Sequence, residues 1–401
     1  MHPDPQIKSK QPGMSKLLVL LGVISLLGPF SIDMYLPALP AIAVDLHATA
    51  AAVQLTLPAF FVGLAISQLL FGVLADRFGR RPTLLAGLVI IALTSLGCAT
   101  AHSAAALTLW RVFQAIGVGS ATVIPRAVVR DSFAVGHVAR AMSLLGIISG
   151  MGPILAPQVG GLLLSFADWR FLFWLLTAMA LGSLAAASYL LDETRPGGHA
   201  NAIGPRAWAA VLTDRRFLRF ALPANLISAS VFAYIAGAPF VFIDQLHLSP
   251  QRFAWLFGVN ALGLMAGGRL NAHLVPRLGP EYLFRRAMLV SATVTTTLLA
   301  VSVFGRGGFW ALAVPLFCFT TALGFNFANG FALALAPFGA AAGTASAIYG
   351  TIQFSFAGLA GVAVSALYDG SARSMAGVMS ALTLAAVLVY RSMNGPAADI
   401  A

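Results

Sequence analysis

Twelve apolar runs, each long enough to cross a bilayer, limit what this chain can become. They cover approximately residues 17–40, 51–75, 82–101, 105–126, 138–164, 169–190, 218–243, 253–272, 284–303, 309–330, 343–367 and 375–390. A helical span needs roughly 20 apolar residues. Within hydrocarbon a backbone can satisfy its own hydrogen bonds only as a helix or a closed barrel. Charged residues make up 9% of the 401, against about 25% in soluble domains, so the surface of this molecule must face lipid. The expected fold is an all-α membrane protein of twelve transmembrane helices. Its one long polar interruption, residues 191–217, is rich in Gly, Pro and charge and separates six spans from six. The expected organisation is a tail 1–16, a six-helix lobe 17–190, a linker 191–217, a second lobe 218–391 and a tail 392–401. The first apolar run is too long for the core of a typical signal peptide, so it is expected to stay as span 1.

The basic residues report orientation. The net charge of +11 would suggest nucleic acid in a soluble chain. Here the cations stand singly or in short clusters between apolar runs, with no aromatic-interleaved basic face, and nucleic acid is excluded as a partner. With the N-terminus inside, nineteen of the 24 Lys and Arg residues fall in inner segments, Arg126 and Arg130 among them. Four (Arg170, Arg252, Arg306 and Arg373) fall in outer segments, and Arg111 stands inside span 4. That asymmetry places both termini in the cytoplasm. Cys98 and Cys318 both lie in apolar runs and read as small core residues, neither a disulfide nor a metal site. All seven histidines lie in loops or near helix ends, and no nucleophile, zinc or phosphate-loop motif occurs. No enzyme activity, cofactor or metal is expected.

Between spans 2 and 3 the chain reads GVLADRFGRR, from Gly72 to Arg81. Here small residues, the carboxylate Asp76, Gly79 and the cations Arg77, Arg80 and Arg81 join two helices within a few residues. Glycines permit close backbone approach, and Pro82 suits the first turn of a helix. Asp76 closes span 2 where the positive end of a neighbouring helix could attract it. An echo recurs about 200 residues later, where Gly268, Leu270, Arg277 and Gly279 repeat the pattern without its acid. A duplicated six-helix unit would leave such a trace.

Asp33, in SIDMYLPALP, is the one acidic residue well inside a span; Asp244 lies at the outer end of span 7. An intramembrane carboxylate must face a cavity, be paired or be protonated. Arg111, with Gln114 about a turn further on in span 4, is seven residues from that span's outer end, as Asp33 is from Pro40. At 1.5 Å per residue both lie about 10 Å in, so one cavity could hold them. Span 5 carries Gly146, Gly150, Gly152, Gly160 and Gly161 beside Pro153 and Pro157, which suits either a close-packed face or a hinge. Tyr35, Asn225, Ser228, Tyr234, Asn260, Asn326, Asn329 and Gln353 are further candidates for a cavity wall. Each alone is as readily a helix–helix hydrogen bond.

These motifs carry a resemblance over essentially the whole chain. Gly72 to Arg81 resembles the signature loop between helices 2 and 3 of the major facilitator superfamily. Arg111-x-x-Gln114-x-x-Gly117 is similar to its helix 4 motif. The run Gly146-x-x-x-Gly150-x-Gly152-Pro153 resembles the motif of its drug:proton antiporters, and SIDMYLPALP resembles the Bcr/CflA efflux branch. The departure is the acid missing from the second loop. The resemblance implies a monomer of two six-helix lobes that exports small amphipathic drugs or metabolites in exchange for protons. It further implies Asp33, Arg111, Gln114, Tyr35, Asn225 and Tyr234 at the proton and substrate site, Gly72 to Arg81 as a gate, and span 5 as the flexing element. The alternative is a proton-coupled importer of a small metabolite, which the span 5 motif disfavours.

Overall fold

The computed structural model describes residues 14–133, 135–194, 205–305 and 308–394. Parts of both tails and of the linker lie outside these residues, with Lys8, Lys10, Arg195 and Arg306 of the orientation argument.

Twelve long helices cross from one face to the other. In the first half they are α1 Met14–Asp33, α2 Thr56–Phe78, α3 Arg80–Ala99, α4 Ala104–Ser132, α5 Val135–Leu163 and α6 Arg170–Leu190. In the second they are α7 Arg215–Pro239, α8 Pro250–Leu278, α9 Pro280–Phe304, α10 Gly308–Leu335, α11 Ala342–Ala366 and α12 Arg373–Asn394. No strand occurs among the described residues.

Local chemistry sets the boundaries. Ser103, Asp214 and Ser249 accept hydrogen bonds from Ala106, Phe217 and Arg252 amides at the starts of α4, α7 and α8, supplying first-turn donors with a partner. The α2–α3 and α8–α9 turns each pivot on one glycine in a conformation open mainly to glycine, Gly79 with φ +103° and Gly279 with φ +78°. One boundary differs from expectation and matters later. Span 4 ran to Arg126 because a cation there reads as a membrane edge, yet α4 continues to Ser132. Its last turns are sustained by ion pairing and by a water-accessible face.

The two halves repeat each other in packing. α2 packs on α4 as α8 does on α10, α3 on α4 and α6 as α9 does on α10 and α12, and α1 on α4, α5 and α6 as α7 does on α10, α11 and α12. His47 and His247, 200 residues apart, are the two non-glycine residues with positive φ among the described residues, at 48° and 53°. They precede Thr49 and Ser249, which cap the helices that follow. Between the lobes, α2 packs on α11 and α5 on α8, a pair of contacts that the repeat exchanges.

Candidate functional site

A cavity of about 520 Å³ lies between the lobes. It is walled by α1, α2, α4 and α5 from one lobe and α7, α8, α10 and α11 from the other. Away from the termini it is shut. Ser365 Oγ donates to Ala51 O at 2.7 Å, and Gln158 Nε2 donates to Ala254 O at 2.7 Å, both across the lobe interface. Gly361 lies against the Pro58 ring, and Gly161 against Gln251 and Ala254. Toward the termini the cavity reaches Arg126, Phe331 and Ser346, each within about two turns of that end of its helix. It opens on the face that carries both termini.

Asp33 ends α1 and lines this cavity at 5% exposure. No hydrogen bond or ion pair reaches its carboxylate among the described residues. Tyr234 lines the opposite wall, accepts a hydrogen bond from Asn260 Nδ2 at 2.8 Å, and stacks on Phe257 with centroids 5.7 Å apart. Gln353, also on the wall, donates to Ser228 Oγ at 2.8 Å. The remainder is mainly apolar and aromatic, with Phe232, Phe327, Phe331 and Phe354 among its lining.

Arg111 does not share the cavity with Asp33, although the depth estimate allowed it. Its guanidinium turns into the core of the first lobe at 0% exposure. Nη1 donates to Ser31 O at 2.7 Å and to Gln114 Oε1 at 2.6 Å. Its charge lies over the rings of Tyr35 and Phe60, 4.3 and 4.1 Å from their centroids. Nε and Nη2 have no hydrogen-bond partner among the described residues. Gln114 donates onward to Ser95 Oγ at 2.7 Å, and Tyr35 pairs with Thr56 at 3.1 Å. Helix phase, which a depth estimate ignores, sends these side chains behind α1. Their connection to Asp33 runs through the α1 backbone, two residues away at Ser31.

Asn225 is buried off the wall, and neither of its amide atoms has a partner among the described residues. Asn326 donates to Ser291 Oγ at 3.1 Å, and Asn329 donates to Asn271 Oδ1 at 2.7 Å; these are helix–helix bonds within the second lobe. Asp244 sits in a short wide turn after α7, exposed and away from the cavity.

The loop from Gly72 to Arg81 forms a charged cluster on the first lobe. Arg80, whose side chain is 6% exposed, pairs with Asp76 at 2.5 Å and with Asp131 of α4 at 2.9 Å. Arg77 lies over the Phe78 ring at 5.2 Å. Glu193, just past α6, accepts hydrogen bonds from the backbone amides of Arg80 at 2.8 Å and Arg81 at 3.2 Å and so caps α3. A side chain at Gly79 would meet that carboxylate, whose Cδ lies 2.8 Å from where a Cβ would stand. Gly72, expected at a close helix contact, faces open space. Asp76 reaches Arg80 here, with no bond to a neighbouring helix end among the described residues. In the second lobe Glu281 supplies the acid that the loop echo lacks: it pairs with Arg219 and accepts from Tyr390 Oη at 2.9 Å.

Along α5 the glycines divide. Gly152 packs against Pro29, Gly160 against the Met34 backbone and Gly161 against α8, while a methyl group added at Gly146 or Gly150 would meet no atom within 4 Å among the described residues. Pro153 is on the cavity wall. Of the two thiols, Cys98 is buried as expected, but Cys318 is exposed on α10, off the cavity wall. Arg126 was missed as a site residue because it read as the inner edge of span 4.

Comparison with known proteins agrees with this architecture. The family model described as Major Facilitator Superfamily matches residues 21–362. The chain is 36% identical over 342 residues to the uncharacterized MFS-type transporter YdgK of Bacillus subtilis, covering 84% of this chain and 85% of that one. It is 27% identical to a bicyclomycin resistance protein homolog of Haemophilus influenzae, over 93% of this chain and 94% of that one. It is 30% identical to the multidrug resistance protein MdtL of Klebsiella pneumoniae, over 85% and 86%. The crystal structure of a D-xylose-proton symporter superposes with a TM-score of 0.76 at 15% identity, covering 94% of this chain and 98% of that one. Two six-helix lobes, a shared central cavity and these matches together make the chain a multi-pass membrane transporter of the Major Facilitator Superfamily.

Proposed function

We propose that this chain exports small amphipathic compounds across the bacterial inner membrane in exchange for protons, as a monomer with both termini in the cytoplasm. The observation that carries the reading is Asp33: a carboxylate with no counter-charge among the described residues, on the wall of a largely apolar, inter-lobe cavity. A carboxylate in such a place is costly as an unpaired ion. Taking up a proton on one side of the membrane and releasing it on the other is the use that justifies it. The aromatic wall suits apolar ring systems of varied shape. The drug-resistance names of the relatives point the same way.

In the alternating-access cycle the state described here is open to the cytoplasm. Substrate enters from that face, the lobes rock, and the contacts of α2 with α11 and α5 with α8 separate at the outer end. Asp76 would then leave Arg80 and latch a neighbouring helix terminus as the inner face closes. Gly146 and Gly150, open in this state, would give α5 room to pack or bend. Arg111 and Gln114 hold the α1 backbone beside Asp33 and would transmit its protonation to the lobe core. A resistance screen in a pump-deleted host across several antibiotic classes tests the reading. Raised tolerance to at least one amphipathic class is expected, and no change in any class would contradict export of drug-like compounds.

A further inference from the structure

Arg126 is the second charge on the cavity wall, and the only cation there among the described residues. It stands six residues before the end of α4, within the membrane-spanning length of that helix. Thr122 and Val123, a turn earlier, line the same wall, so this face of α4 looks into the cavity and away from lipid. Among the described residues its guanidinium has no ion pair, hydrogen bond or ring contact. The next cation on the helix, Arg130, has Asp131 at 3.7 Å. A cation that only marked the membrane surface would reach for headgroups or water outside the protein. This one is exposed into the space between the lobes.

Its distance from Asp33 decides what it can do. Gly28 of α1 lies against Val118 and Thr122 of α4, so Arg126 stands about 15 Å from Asp33 along the helices at 1.5 Å per residue. Asp33 and Arg126 therefore sit at different levels of one cavity, and no ion pair joins them among the described residues. Toward the same end the wall is aromatic: Phe331 and Tyr349, both lining the cavity, meet edge to face with centroids 5.2 Å apart. A five-donor fork at one end of a cavity with aromatic walls suits a carboxylate, sulfonate or phenolate borne on an aromatic body.

We infer that Arg126 forms an anion-accepting subsite at the cytoplasmic end of the cavity and selects amphipathic acids over lipophilic cations. This rests on reading the cavity as the transport site, so the test reads the cavity's charge preference independently of transport. Cys98→Ala and Cys318→Ser remove the native thiols, and Ser346→Cys places one thiol on the wall near the cytoplasmic end. In inverted membrane vesicles the modification rates with anionic ethylsulfonate and cationic trimethylammonium methanethiosulfonate reagents are compared. Arg126→Gln should lower the anion-to-cation rate ratio by about four-fold, since a unit charge roughly 10 Å away acts in opposite senses on the two reagents even in water. Arg126→Lys should restore most of the ratio. Tetraphenylborate and tetraphenylphosphonium, equal in shape and opposite in charge, serve as occupants. Arg126→Gln should weaken the borate's protection of the introduced thiol several-fold and leave protection by the phosphonium unchanged or improved. An unaltered rate ratio, or equal effects on the two ions, would overturn the subsite. Resistance in the host that survives such a result would leave drug export standing without it.

Discussion

Adding one methyl group at the outer gate should turn this transporter outward. Gly361 on α11 lies against Pro58 at the start of α2, and a Cβ built there comes within 2.6 Å of Pro58 Cγ and 3.1 Å of its Cδ. The neighbour is a ring fixed in a helix, with no alternative rotamer to move into, so the overlap must be relieved by parting the lobes. Overpacking of this kind costs about 1–3 kcal/mol. The contact exists only while the outer face is closed. The penalty therefore falls on that state, and Gly361→Ala should shift the conformational equilibrium about 5- to 150-fold. Each lobe keeps its own packing, so folding is spared. The assay uses two single-cysteine reporters: Ser346→Cys, labelled from the cytoplasmic face of inverted vesicles, and Ala51→Cys, labelled from outside intact cells. Gly361→Ala should slow the first and speed the second. Gly343→Ala on the same helix, where a methyl group meets nothing within 4 Å among the described residues, should leave both unchanged. A folded Gly361→Ala protein with unaltered relative rates would refute the idea that these contacts hold the outer face shut.

Three further outcomes are expected. Asp131→Asn breaks a pair whose two side chains are each 6% exposed; with Asp76 still on Arg80, the loss is about 3 kcal/mol, read as a lower melting temperature in detergent, and an unchanged melting temperature would count against a structural role. Asp76→Asn should impair transport while insertion and substrate binding survive, because a latch worth roughly 0.3–2 kcal/mol biases a two-state gate several-fold; unchanged efflux would remove the latch. A cysteine at Gly370 should be labelled from outside intact cells and one at Gly197 should not, and the reverse pattern would invert the topology.

Much of the fold was legible because lipid punishes error so heavily. Twelve apolar runs leave a backbone few options, and the polar stretch after Leu190 falls between two sets of helices with matching contacts. The loop from Gly72 to Arg81 was legible as a turn because a short cationic link joins two apolar runs; that Gly79 carries its left-handed pivot was not. Side-chain direction was less accessible. Asp33 and Arg111 stand at equal depth, but helix phase sends one into the cavity and the other under Tyr35 and Phe60. Arg126 was hidden by a rule that usually works, that a cation ends a span; a water-accessible cavity breaks that rule, and the sequence does not display the cavity. Glu193 and Asp131 escaped notice because their partner at Arg80 is remote along the chain. One signal was readable and missed: His47-x-Thr49 recurs as His247-x-Ser249, at the same separation as Gly79 and Gly279, and marks the duplicated unit more cleanly than the loop echo.

Proton coupling through Asp33 is tested most directly by proton release on substrate addition. Inverted vesicles containing the wild-type chain are suspended in weakly buffered medium with a pH-sensitive dye and given a compound to which the chain confers resistance. Substrate arriving at the cytoplasmic face should displace a proton from the wild-type protein. Asp33→Asn should bind a neutral substrate and release none. Wild-type release from Asp33→Asn would contradict Asp33 as the proton carrier.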